Sequence, residues 1–301
     1  MAHNVGYCCI NMTLNKKKIT TGRGMIQRTF KARGLKYASE LALQNAIDLV
    51  KIIEWNAQNN IKVFRVGSGI FPWGTEYNLN DLPDIDKIRY FLLKAGMMAT
   101  ATGQRLSAHP DHFVKLGSVK PQVVENSIKD LELHSTLFDL MGLEASPYNP
   151  LNIHVGMNYS EDVIERWVSN YNKLSSNCRA RLVVENDDKE NAFSVKQLYN
   201  DIHAKLNIPI TFDYFHHTFH PDGLTSEEAA KLSTTTWGDI TPLFHYSESK
   251  NLNENVSGNP RAHADYVFNK IDDYGLTIDI DLECKKKELA LFKYLEIVNK
   301  M

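Results

Sequence analysis

The segment Thr211-Phe-Asp-Tyr-Phe-His-His217 places an Asp and a His three residues apart where an apolar run ends. Similar runs end in His109, His154, Glu185, His245 and Glu283. One acid or imidazole at the end of such a run is common. Repeated along one chain, the endings point to a single site assembled from many strands. Imidazole nitrogens and carboxylate oxygens gathered in this way form the donor set of divalent ions such as zinc or manganese. Any one of these histidines, taken alone, is more often a hydrogen-bonded structural residue. The joint pattern carries the reading. His263, beyond the polar loop Ser249–Arg261, can join the set. His3, His134, His203 and His220 lack the placement, and His134 falls inside a helix, where packing is expected. His217 is expected to point away from His216, because side chains alternate along an extended chain.

The elements that must position these residues follow from periodicity. Strands are expected at Gly6–Asn11, Val63–Ser68, Arg105–Pro110, Leu151–Gly156, Arg181–Asn186, Ile208–Phe215, Thr241–Ser247 and Thr277–Glu283. Amphipathic helices are expected between them, at Tyr37–Asn59, Asp84–Thr102, Val123–Met141, Ser160–Leu174, Ser194–Leu206, Thr225–Leu232 and Lys286–Asn299. Ser160-Glu-Asp opens one of these helices with a cap residue and acids that suit the helix dipole. About eight strand–helix units in this length suggest an α/β chain forming one (β/α)8 barrel, 1–301, whose strand ends converge on one face. A doubly wound open sheet is the alternative, but no Gly-x-Gly-x-x-Gly fingerprint follows the first strand.

Composition excludes several classes. Of the 301 residues, 43% are hydrophobic and 23% charged, as in ordinary globular chains. No apolar run approaches the roughly 20 residues of a membrane span. The first residues show no basic segment followed by an apolar one, so no secretory signal is read and an intracellular location is expected. Cys8, Cys9, Cys178 and Cys284 have no CxxC spacing, which fits a reducing compartment and argues against a zinc knuckle. A net charge of −2 does not advertise a nucleic-acid binder, but a local basic face and bound cations can reverse the field at a site. A metal cluster of this kind activates water and clamps both the attacking and the leaving oxygen of a phosphoryl group.

Several motifs resemble the UV-damage endonuclease family: Arg105-Leu-Ser-Ala-His-Pro110, Leu151-Asn-Ile-His-Val-Gly156, Val184-Glu-Asn-Asp-Asp188, Phe212-Asp-Tyr-Phe-His-His217, His245-Tyr-Ser-Glu248, His263-Ala-Asp-Tyr266 and Asp281-Leu-Glu-Cys-Lys-Lys286. Gly6-Tyr-Cys-Cys9 and Phe64-Arg-Val-Gly-Ser68 extend the likeness over nearly the whole chain. Endonuclease IV and the xylose isomerases are the broader relatives. The resemblance implies a manganese-dependent endonuclease, with zinc or magnesium as alternatives and two or three ions in all; a monomer is expected. It would cut double-stranded DNA immediately 5′ to cyclobutane dimers and 6-4 photoproducts, leaving a 3′-hydroxyl and a 5′-phosphate. The implied metal ligands are His109, His154, Glu185, Asp213, His216, His245, His263 and Glu283. Glu185 and Glu283 are expected as bridging or central carboxylates, with His109 and His245 beside them in catalysis. Asp213, His216 and His263 are expected on one outer ion, and His109 with His154 on another.

The resemblance also implies lesion contacts at Tyr7 and Asn11, with strand-end structure as the alternative for both. Arg65 can hold a phosphate bidentately or form an ion pair inside the barrel. His112 and Phe113 stand where the family commonly has Gln-Tyr probing the damaged duplex, and Phe113 keeps the flat face a wedge needs. Leu243 stands where the family typically has a Lys near the metals, which puts rate and metal preference in question. Lys115, Lys120 and Arg261 are candidate phosphate contacts. An abasic-site endonuclease, a sugar isomerase on the same barrel and a catalytically impaired damage-binding protein are the competing readings.

Overall fold

The computed structural model of the protein describes residues 4–254 and 256–299, so His3 lies outside the described residues. Eight strands form one parallel sheet: β1 (Val5–Cys8), β2 (Val63–Val66), β3 (Arg105–Ala108), β4 (Leu151–His154), β5 (Leu182–Glu185), β6 (Ile210–Thr211), β7 (Leu243–Tyr246) and β8 (Asp279–Leu282). Their order is β6-β5-β4-β3-β2-β1-β8-β7, and a single parallel bridge between Asp213 and His245 brings the two outer strands together. The result is a nearly closed barrel, as the alternating pattern predicts.

Helices fill the crossovers. They are α1 (Met12–Asn15), α2 (Gln27–Gln58), α3 (Ile85–Ala101), α4 (Pro121–Leu140), α5 (Glu161–Tyr171) and α6 (Ser176–Arg181). They continue with α7 (Val195–Gln197), α8 (Ala204–Leu206), α9 (Tyr214–Phe219), α10 (Ser226–Thr234), α11 (Lys250–Glu254) and α12 (Lys287–Asn299). Helix α2 begins ten residues before its expected start and is broken at Gly34, where φ is 63°. A left-handed residue without a Cβ is tolerated there at little cost. Ser160 caps α5 by accepting from the Val163 amide, as its position suggested.

Alternation along the strands divides their side chains between two environments. Phe64, Leu106, Ile153, Val184, Phe244 and Ile280 face the helices and belong to the main apolar core. Arg65, Ser107, Asn152, Glu185, His245 and Asp281 line the barrel interior. At its amino-terminal end Val63, Val183 and Leu243 pack on Trp237. Arg105 pairs there with Asp279 at 3.1 Å. Leu243 lies in this apolar layer, two residues and about 6.6 Å of strand below His245.

The sixth strand is shorter than the apolar run suggested. It ends at Thr211, and Asp213 becomes the N-cap of α9, its side chain accepting from the His216 amide at 2.7 Å. His216 and His217 are therefore helical neighbours. His217 does turn away, toward the Leu224 carbonyl at 3.1 Å, but helical rotation and not strand alternation separates the two rings.

Candidate metal centre

The carboxyl ends of the strands gather the expected donors around Glu185, whose side chain is 1% exposed. Its Oε2 lies 3.1 Å from His109 Nε2 and 3.0 Å from His245 Nδ1. Its Oε1 lies 3.2 Å from His216 Nδ1 and 3.7 Å from His154 Nε2. The two oxygens of one carboxylate thus face two pairs of imidazoles. The parallel register that sets His154 beside Glu185 places both on one face of the sheet. Two groups, His109–Glu185–His245 and His154–Glu185–His216, are each compact enough to hold an ion.

This grouping differs from the one expected from sequence. His109 and His154 are adjacent rings, 5.4 Å between centroids, yet they address opposite oxygens of Glu185. Asp213 Oδ2 lies 3.9 Å from His216 Nδ1. His263 stands on the far side of Glu283, 3.8 Å from its Oε2, returned to the mouth by a bridge with Ser249. Glu283 Oε1 lies 3.5 Å from His245 Nδ1.

Donor chemistry fits a divalent ion. Glu185 Oε1, Asp213 Oδ2, His245 Nδ1 and His263 Nδ1 are buried and make no hydrogen bond. Orphaned polar atoms on four ligand-type side chains in one cluster are costly unless a partner such as a cation takes them. His109 donates through Nδ1–H to the Pro110 carbonyl, 2.9 Å away. A proton on that nitrogen leaves Nε2 free to ligate, the usual supporting arrangement for metal-binding imidazoles.

Charge is distributed accordingly. Burial alone would raise the Glu185 carboxyl, but His245 and His154, with His109 and His216 close to its oxygens, hold it well below the ordinary range. Burial likewise opposes the charge on Glu283, and Arg65 and His245 overcome it. His216 is desolvated, yet Asp213 and Glu185 push it well above the usual imidazole value. Burial pushes Asp213 up to about 6 against the pull of His216. Burial lowers His154 and His263.

Arg65 takes the second of its two expected roles. Its guanidinium pairs with Glu283, donates to His245 Nε2 at 2.7 Å and lies 3.5 Å from Asp281. It is an ion pair inside the barrel and offers no fork to a phosphate. Tyr7 and Asn11 do not present a surface to a nucleotide. Tyr7 is fully buried, donates to Asn56 Oδ1 at 2.8 Å and accepts from Asn11 Nδ2 at 2.9 Å. Asn11 is buried too and caps α1 through the Leu14 amide. Their polar groups are engaged in strand-end structure, the alternative reading for both. His112 and Phe113 project from the β3–α4 loop with ring centroids 4.1 Å apart, and Phe113 is 69% exposed.

Sequence reading missed the residues that support the donors. Asn152 donates to Glu185 Oε2, and Ser107 donates to Asp281 at 2.8 Å beneath Arg65. Asn186 accepts from the Asp213 amide at 2.9 Å and donates to its carbonyl at 3.0 Å. The signal for three of them was available: Ser107, Asn152 and Asp281 each lie two residues before an expected ligand, hence on the same strand face. His134 and His203 bond neighbouring carbonyls, at 2.8 and 3.0 Å.

Eight parallel strands with a carboxylate-centred imidazole cluster at their carboxyl ends define a TIM-barrel enzyme with a candidate divalent-metal centre. The family model for UV-endonuclease UvdE matches residues 3–301, and the chain belongs to that family. The solved structure of SacUVDE superposes with a TM-score of 0.84 at 31% identity, over 99% of this chain and 98% of that one. The UV-damage endonuclease of Schizosaccharomyces pombe is 31% identical over 96% of this chain, which spans 49% of that protein's length. The UV DNA damage endonuclease of Clostridium perfringens is also 31% identical, over 96% of this chain and 69% of its own. Endonuclease IV from Thermus thermophilus shares the fold, with a TM-score of 0.57 at 15% identity, over 84% of this chain and 95% of that one. The chain is thus an enzyme of a hydrolytic nuclease family. No helix among the described residues is long and apolar enough to cross a membrane.

Proposed function

We propose that the protein is a single-domain, monomeric DNA-repair endonuclease acting inside the cell. It hydrolyses the phosphodiester immediately 5′ to cyclobutane dimers and 6-4 photoproducts. Water adds its oxygen to phosphorus, the bond to the 3′-oxygen breaks, and a 3′-hydroxyl and a 5′-phosphate result. The observation that carries the reading is Glu185, one carboxylate between two imidazole pairs, in a member of the UvdE family. His109 and His245 would hold one divalent ion and His154 and His216 a second, with Asp213, His263 and Glu283 completing the shells. Manganese is the favoured metal. When bound, such ions lower the pKa of water to about 7 and offset the charge of the phosphoryl oxygens.

The protein's own groups do the rest. Glu185 fixes the spacing of the two halves. Arg65 holds Glu283 and His245 in place from below. A cavity of about 560 Å³ opens beside the centre, lined by His109, His112, Lys115, His154, Lys189 and His216 among others. That is the size of pockets that enclose small ligands, roughly 300–1,000 Å³, and suits nucleotides turned out of a duplex. A lesion has already lost part of its stacking and pairing, so extrusion costs a few kcal/mol less there than in intact DNA. Phe113 stands exposed at the rim, ready to fill the gap.

The test is nicking of a labelled duplex carrying one cyclobutane dimer, with manganese, beside a duplex carrying one abasic site. A cut directly 5′ to the dimer is expected. A cut at the abasic site alone would replace the lesion assignment, and tight binding of the dimer without cutting would make the protein a damage binder.

A further inference from the structure

The first acidic residue of the chain is Glu40. Residues 1–39 hold eight Lys and Arg, which leaves 26 basic against 36 acidic residues in the remainder. A chain of net charge −2 is therefore strongly polarised. Three of the eight, Lys16, Lys17 and Lys18, follow α1 on the connection that leaves the carboxyl end of β1, and all three are exposed. They stand on the face that carries the metal centre.

The loop is built to present them. Arg23 is spent on its interior, pairing with Asp48 at 2.7 Å and donating to the carbonyls of Thr20 and Lys18. The Lys18 carbonyl is thus drawn inward while the ammonium groups remain in solvent. A second triplet, Lys285, Lys286 and Lys287, follows β8 on the same face. Strands β1 and β8 are hydrogen-bonded neighbours. The buried Glu288 accepts from the amides of Met12 at 2.8 Å and Thr13 at 2.7 Å and from the Thr13 hydroxyl at 2.9 Å. These bonds dock the turn of α1 on the start of α12 and set the two triplets side by side. The second triplet starts at the metal centre, since the Lys285 amide donates to the Ala264 carbonyl, next to His263, at 3.1 Å. Lys286 is paired with Asp265 at 3.6 Å. Among the described residues the ion pairs of this rim engage Arg23 and Lys286 and not the other five lysines.

Two sequence-distant runs of like charge, held together by a buried carboxylate beside a phosphodiesterase centre, match a polyanionic partner. We propose that Lys16, Lys17, Lys18, Lys285 and Lys287 form a track for the phosphate backbone of the duplex flanking the lesion. It supplies the sequence-independent, salt-dependent part of binding and leads one strand to the metal centre. The inference rests on the DNA reading above.

The test replaces Lys16, Lys17 and Lys18 together by Gln and, separately, Lys285 and Lys287. A control replaces Lys94, Lys173 and Lys205, which are exposed on other parts of the surface and remove the same charge. Fluorescence anisotropy follows an undamaged labelled duplex between about 0.05 and 0.2 M salt, a range over which phosphate-driven affinity falls steeply. Unchanged circular dichroism and metal content certify each variant. The triple variant should flatten the plot of log affinity against log salt by about 0.9 per lost phosphate contact, two to three in all, and bind roughly 100-fold more weakly at ~0.1 M salt. The double variant should flatten it by about one to two, and the control by less than about 0.5. A wild-type slope in the triple variant, or an equal loss in the control, overturns the track while leaving the endonuclease reading intact. A wild-type protein that binds no duplex at all overturns both.

Discussion

Replacing Glu185 by Gln should remove two metal ions together. Each oxygen of this carboxylate lies within 3.0–3.7 Å of a different pair of imidazole nitrogens. A Gln amide offers one carbonyl oxygen and no charge, so neither pair keeps its anionic ligand. Loss of a residue that merely supports a ligand costs about 10–100-fold in metal affinity. Loss of the shared ligand should exceed that, at least about 100-fold for each ion, or about 2.7 kcal/mol. By contrast His154→Ala strips one imidazole from one pair, and should weaken one ion while leaving the other near its wild-type affinity. Metal content measured by mass spectrometry after dialysis, with calorimetric titration of manganese, reads both outcomes. The metal-free Glu185→Gln protein also tests the electrostatics. The carboxylate is buried and offsets imidazolium charge on His216, so its removal should cost about 3 kcal/mol in stability, the low end for breaking a buried pair. A Glu185→Gln protein that still holds one ion at wild-type affinity would refute the bridging geometry.

The remaining expectations concern the rim and the protons. Tyr7→Phe should lower stability by about 1–3 kcal/mol, because it leaves Asn56 and Asn11 short of a buried partner, and should leave binding of damaged duplex unchanged. Phe113→Ala should do the reverse, weakening lesion binding by about 1–3 kcal/mol with an unchanged unfolding midpoint. Thermal unfolding beside anisotropy separates the two, and a tenfold binding loss in Tyr7→Phe at unaltered stability would restore its lesion role. Metal affinity should fall as pH falls. Asp213 is pushed up to about 6 by burial, and His216 stands well above its ordinary value because Asp213 and Glu185 outweigh its desolvation. Both must lose their protons to ligate, so protons compete below those values and binding near neutral pH releases them. Calorimetry in buffers of different ionisation enthalpy counts the released protons, and a count of zero at pH 7 would contradict the assignment.

The sequence by itself determined the barrel and which donor-type side chains stand at its carboxyl end. Alternation with a period of two and helical spacing of 3.6 are local properties, so the strands and most crossover helices could be placed without knowing what they touch. His109, His154, Glu185, His245 and Glu283 were legible for the same reason, since a donor at a strand end needs only the fold rule to join the others. Asn152, Ser107 and Asp281 were within reach of that rule, two residues upstream of ligands. Only the tertiary structure decided the rest. Which imidazoles share an oxygen of Glu185 depends on strand register and on the short sixth strand giving way to α9, where Asp213 caps the helix that carries His216. Whether Tyr7 meets DNA or Asn56 depends on burial by α2, and whether Arg65 meets phosphate or Glu283 depends on β8 closing over β1 and β2. The neighbouring lysine triplets lie more than 260 residues apart in the chain and are joined by the bonds of Glu288. Contacts of that kind are long-range, and a one-dimensional pattern carries no information about which partner a polar group finds once water is excluded.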